Sequence, residues 1–231
     1  MSTAQPEAKT RFLDRLTAIL QKSRLALLIL LIAILAGIIA YFVWTEIQNA
    51  AREKSALWAE KAQKLEQQWV AETDTAKKQS LEKELTDLLA RILSRYPRQY
   101  AAQRAYLQQA DLAYRAKDWG KAAENYQALA SRFPRSYLAP LALLYAGVSS
   151  EELGVAKQAL SSYQRVRERY RDSYLLPRAL FSIGRLLETE GDSAGALKVY
   201  NELEDDHPDS NWTKVARNRI LGLKTEGKIP E

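Results

Sequence analysis

Hydrophobic and polar positions divide the chain into three regimes. From Leu25 to Thr45 there is no charged residue, and the stretch from Leu25 to Trp44 is apolar almost throughout. Twenty residues at the helical rise of about 1.5 Å span about 30 Å, the thickness of a bilayer's hydrocarbon core, so residues 25–45 are expected to form a transmembrane helix. Tyr41, Phe42 and Trp44 gather at one end, where Tyr and Trp suit the headgroup region, and Lys22 and Arg24 stand at the other. The apolar core is longer than the 7–15 residues usual in a cleaved signal peptide, and no small-x-small site closes it.

In the second regime the pattern becomes amphipathic. Ala51, Ser55, Trp58, Ala62, Leu65 and Trp69 alternate spacings of four and three, a heptad-like stripe. After a break at Thr73-Asp74-Thr75, the residues Leu81, Leu85, Leu88, Leu89 and Ile92 mark another helix. Residues 46–95 therefore read as a juxtamembrane helical hairpin. It is either a degenerate leading repeat, since Trp69 lies 37 residues before Tyr106, or a short coiled-coil dimer.

The third regime repeats itself every 37 residues. Tyr96-Pro97, Phe133-Pro134, Tyr170-Arg171 and His207-Pro208 share one register, as do Ser136, Ser173 and Ser210. So do Ala110, Gly147 and Gly184; Ala122, Ala159 and Ala196; Tyr126, Tyr163 and Tyr200; and Leu129, Val166 and Leu203. Each copy reads as a pair of helices. The Ser of the turn is the expected N-cap of the first helix, and Pro140 and Pro177 fall in the first turn, where a missing N–H costs little. Gly154 and Gly191 end the first helix in the second and third copies. The fold class is all-α: a solenoid of helical hairpins preceded by one transmembrane helix. Its expected parts are a basic tail (1–24), the span (25–45), the hairpin (46–95), three repeats (96–208), a capping helix (209–223) and a disordered end (224–231).

Charge sets an orientation. The tail holds Lys9, Arg11, Arg15, Lys22 and Arg24 against Glu7 and Asp14, half of the chain's net charge of +6. By the positive-inside rule the tail is cytoplasmic and the large C-terminal part lies across the membrane. The remaining charge is mixed in sign and forms no basic stripe, which argues against nucleic acid as a partner. Candidate chemistry is sparse. The absence of Cys excludes disulfides and thiolate metal sites, and the one histidine, His207, stands before Pro208 in a turn. Gly120-Lys121 lacks the upstream glycine of a phosphate loop, and Asp205-Asp206 lacks the spacing of a calcium loop. No enzyme, metal or cofactor is expected.

The order small residue, Ala, aromatic and Pro resembles the tetratricopeptide repeat (TPR). The usual unit has about 34 residues and a small residue after the aromatic, where this chain has Leu129, Val166 and Leu203. The joints Phe133-Pro134-x-Ser136-Tyr137 and Tyr170-x-x-Ser173-Tyr174 are similar to those of envelope TPR proteins such as BamD and CpoB. The layout resembles the single-pass, membrane-anchored YfgM type. That resemblance implies an inner-membrane protein with a periplasmic C-terminal domain that binds proteins or peptides. The implied groove is lined by the first helices: Arg104, Leu107, Asp111, Tyr114 and Arg115; Leu141, Leu144, Val148, Glu151 and Glu152; Arg178, Phe181, Arg185, Glu188 and Thr189. Ala33 and Gly37 form a small-xxx-small pair suited to close contact with a second membrane helix, so a homodimer is the alternative to an adaptor.

Overall fold

The computed structural model describes residues 24–230, which are helical with no strand. The helices are α1 (Arg24–Ala71), α2 (Thr75–Arg95), α3 (Tyr100–Arg115), α4 (Trp119–Arg132), α5 (Ala139–Glu152), α6 (Ala156–Arg169), α7 (Leu176–Thr189), α8 (Ser193–Asp206) and α9 (Asn211–Thr225). The basic tail, apart from Arg24, lies outside the described residues. The chain divides into two units between Glu53 and Lys54.

The first unit is the N-terminal part of α1. None of its most apolar window is buried, and side chains all around the helix are exposed, among them Leu25, Leu28, Ile32, Ile39 and Trp44. A core helix of a water-soluble protein would hide one face. By length and composition the helix is a candidate membrane span. The helix itself runs on to Ala71.

The second unit is built from helical hairpins. Asp74, Asp118 and Asp192 start α2, α4 and α8 by accepting backbone N–H bonds from Lys77 (2.9 Å), Lys121 (3.2 Å) and Gly195 (2.8 Å). Pro140 and Pro177 lie in the first turns of α5 and α7. The serine expectation needs correction. Ser136 and Ser173 do not cap these helices; their hydroxyls bond the N–H groups of Leu138 and Leu175 (3.1 and 3.2 Å), shaping the turn before the helix begins. Only Ser210 is a true cap, on α9. Gly154 (φ +79°) and Gly191 (φ +85°) close the first helices of the second and third copies, while Lys117 (φ +57°) takes the same left-handed place in the first.

The core is the face of each second helix. Ala122, Ala159 and Ala196, the three tyrosines Tyr126, Tyr163 and Tyr200, and Leu129, Val166 and Leu203 are all essentially inaccessible. The same register continues backward into α2, where Leu85, Leu89 and Ile92 are fully buried. The leading hairpin is longer than the others. α2 begins at Thr75, seven residues before the position that would match Trp119, and its partner segment of α1 is displaced to suit. Trp69 is therefore not the counterpart of Tyr106. The heptad-like stripe is consumed here too. Ser55, Ala59, Ala62 and Leu65 are buried within the hairpin, and the last three form a small core with Leu85, Leu89, Ile92, Ala101 and Ala105. These stripe positions pack inside the hairpin of one chain.

At the far end, α9 occupies the register of a first helix. Ala105, Ala142, Ala179 and Ala216 form a column at 37-residue spacing, all buried. The cap is thus the first half of a fourth unit, covering the open face that a repeat array otherwise leaves. The residues after it were expected to be disordered. Instead Gly227 (φ +67°) turns the chain and Ile229 joins the main core, because an apolar side chain two residues past the turn finds an unfilled edge.

Candidate protein-binding face

Neighbouring first helices touch in chain order, and their shared face holds the candidate groove. Arg104 of α3 donates to Gln63 of α1 (2.9 Å), and Gln108 donates to Glu66 (2.7 Å). Tyr114 meets Tyr145 of α5 edge-on (5.9 Å), and Arg178 of α7 lies over the rings of Tyr145 (5.7 Å) and Trp212 (5.8 Å).

The structure sorts the expected residues into two groups. Leu144 is fully buried, and Phe181 is closed off between Tyr200 (6.0 Å) and Trp212 (5.3 Å), so these two are core rather than lining. Glu151 accepts from the Tyr163 hydroxyl (2.6 Å) and pairs with Arg185. Glu188 does the same with Tyr200 and Arg219. These four charged groups are spent on joining one repeat to the next. Asp111 accepts from Tyr126 (2.6 Å). Burial lifts its carboxyl above the usual carboxylate range, against the pull of that hydrogen bond, and the charge of Glu66 adds to the rise. Burial also lifts Glu188, but the bonds from Arg219 and Tyr200 outweigh it and hold the carboxyl below its usual range. The three buried tyrosines are pushed far up, first by burial and then by their carboxylate partners.

What remains available is a second group. Arg115 is exposed and lies over Trp69 (5.9 Å). Arg104, Arg115 and Arg178 form no ion pair among the described residues, although the charge of Arg115 reaches the Asp111 carboxylate. Tyr114, Leu107, Leu141 and Val148 are half-buried and pack against the core. Glu152 and Thr189 are exposed. Fixed cations beside half-buried apolar groups can take carboxylates and apolar side chains of a polypeptide. On the first unit, Ala33 and Gly37 are exposed; a Cβ at Gly37 would meet nothing within 4 Å.

Sequence reasoning missed Tyr145 and Trp212, which hold Arg178 between them. Tyr145 has Gln108 and Ser182 in its column, so no repeat signal marks it. Trp212 was legible: it lies 37 residues after Leu175 and continues the Leu138–Leu175 column into the cap.

Three segments, residues 104–136, 141–173 and 178–210, match the tetratricopeptide repeat family model. The chain therefore carries three tetratricopeptide repeats in a helical solenoid. Repeats of this kind generally mediate contacts between proteins and are generally non-catalytic scaffolds. No curated protein matches the chain.

Proposed function

We propose that this protein is a non-enzymatic adaptor of the YfgM type. In this reading it is anchored in the inner membrane by residues 25–45, with a cytoplasmic N-terminus, and presents its repeats to protein partners in the periplasm. The orientation rests on the basic tail against the mixed charge that follows the span. The observation that carries the binding role is the set of arginines outside any ion pair, Arg104, Arg115 and Arg178, with the half-buried Tyr114, Leu141 and Val148 on the first-helix face. A photo-crosslinking residue at position 115 or 148, compared with one at position 161 on the second-helix side, tests it in cells. A discrete protein adduct is expected from the first two positions. Adducts only from position 161 would end the reading. A C-terminal reporter active in one compartment tests the orientation separately. The exposed small-xxx-small pair Ala33–Gly37 supports a second reading, self-association through the membrane helix. In that case Gly37→Ile abolishes a crosslinked dimer without affecting partner adducts.

A further inference from the structure

The turns that link one hairpin to the next line up along a single edge of the repeat unit, and that edge has a composition of its own. Tyr100, Tyr137 and Tyr174 stand there at 37-residue spacing and are exposed, Tyr137 and Tyr174 by 72% and 83%. The turns are adjacent in space. The hydroxyls of Tyr100 and Tyr137 are 2.7 Å apart, and the Tyr170 hydroxyl donates to the carbonyl of Pro134 (2.9 Å). The same three turns carry Arg95, Arg98, Arg135, Arg169 and Arg171, all exposed, against the exposed Asp172. None of these five has an ion-pair partner among the described residues. The Arg98 column turns acidic in the third turn, at Asp172, and in the fourth turn Asp206 and Asp209 fill the columns of Arg95 and Arg98 and Asn211 that of Tyr100.

The same edge is where the chain enters the unit. Tyr96, in the first of these turns, packs edge-on against Trp58 (5.4 Å), four residues after Lys54. Ten residues separate Trp44, the end of the apolar run, from Lys54, about 15 Å of helix. In the proposed anchoring, this edge is thus the part of the unit nearest along the chain to the span. Tyrosine suits the headgroup depth, and arginine suits anionic lipid.

We infer that the Tyr100–Tyr137–Tyr174 edge, with Arg95, Arg98 and Arg135, docks on an anionic lipid surface, while the acidic fourth turn is held away from it. This rests on the proposed anchoring.

The test uses the full chain in nanodiscs of phosphatidylcholine, with or without phosphatidylglycerol, read by hydrogen–deuterium exchange. With phosphatidylglycerol, the amides of residues 96–100 and 133–137 are expected to exchange more slowly, and those of 207–211 at an unchanged rate. The slowing fades with salt. It falls by about fivefold for each of Arg95→Glu, Arg98→Glu and Arg135→Glu, exposed positions whose change leaves the fold intact. Equal exchange in both lipids, with the chain incorporated, overturns the docking alone. Slowing that persists in detergent and grows with protein concentration also overturns it and points to a second copy on this edge. A chain that does not incorporate into either disc overturns the anchoring and the docking together.

Discussion

Gly147→Ala is a severe test of the core. Gly147 packs directly under the ring of Tyr163: a Cβ there would lie 2.5 Å from Cζ and 2.8 Å from Cδ1, and closer still to Cε1. The ring cannot retreat, because Tyr163 is wholly buried and its hydroxyl is tied to Glu151. Overpacking of this kind costs about 1–3 kcal/mol. Displacing the ring also breaks a hydrogen bond to a carboxylate, about 1.5–3 kcal/mol. Helix propensity returns about 1 kcal/mol. The net loss is about 1.5–5 kcal/mol. The first repeat shows how the fold tolerates alanine at this position. There Ala110 is present, and Tyr126 bonds Asp111 rather than residue 114, the column that supplies Glu151 and Glu188. Position 148 is the Asp111 column. Val148→Asp should therefore be less harmful in a chain that already carries Gly147→Ala than in one that keeps the glycine, with a coupling of about 1 kcal/mol. Urea unfolding of the full chain in detergent micelles, followed by far-ultraviolet circular dichroism, measures both. Gly222→Ala, where a Cβ meets nothing, is the control and is expected to stabilise slightly. If Gly147→Ala matches that control, or if the double variant is simply additive, the close-packing argument is refuted.

Four further outcomes are expected. Lys117→Gly relieves the left-handed backbone at the first intra-repeat turn and raises stability by about 0.5–1 kcal/mol in the same titration. Trp212→Ala uncovers Phe181 and frees Arg178, lowering stability by about 2–3 kcal/mol, measured by thermal melting. Glu188 has a depressed folded-state pKa, so its contribution is present above the usual carboxylate range and lost as pH falls through the folded value. Glu188→Gln therefore weakens the fold at neutral pH and flattens the acid limb of a stability–pH curve. Asp111 has the opposite sign. Its raised pKa makes the charged form the unfavourable one in the fold, so Asp111→Asn, which still accepts from Tyr126, leaves neutral-pH stability unchanged or higher.

The repeat register was legible because a solenoid reuses one packing solution. Each tyrosine of the Tyr126 column must fill the same space, so its neighbours recur at the same interval. The candidate face was less legible, because side chains there answer to individual neighbours. Glu151 and Arg185 look like free groove charges in sequence, yet the interval between them spans one repeat junction, and they pair across it. Leu144 and Phe181 lie on the predicted face by spacing, but the adjacent helix covers them. The heptad-like stripe of α1 was ambiguous for a related reason. A 4–3 pattern says that a helix buries one side, not whether the partner is a second chain or the next helix. The cap was legible only in part: its serine and its alanine follow the register, while Ile229 follows no pattern at all.

The polar links between successive units change in kind along the array. Toward the N-terminus they are neutral or singly charged hydrogen bonds: Arg104 to Gln63, Ser136 to Gln103, Arg165 to Ser131. Toward the C-terminus they become ion pairs: Glu151–Arg185, Arg167–Glu202, Glu188–Arg219 and Arg217–Glu204. These pairs are partly open to water, so dissolved ions screen them while leaving apolar packing intact. Ionic strength thus acts as a graded control on the molecule, loosening the last repeat and its cap while the first junctions stay closed.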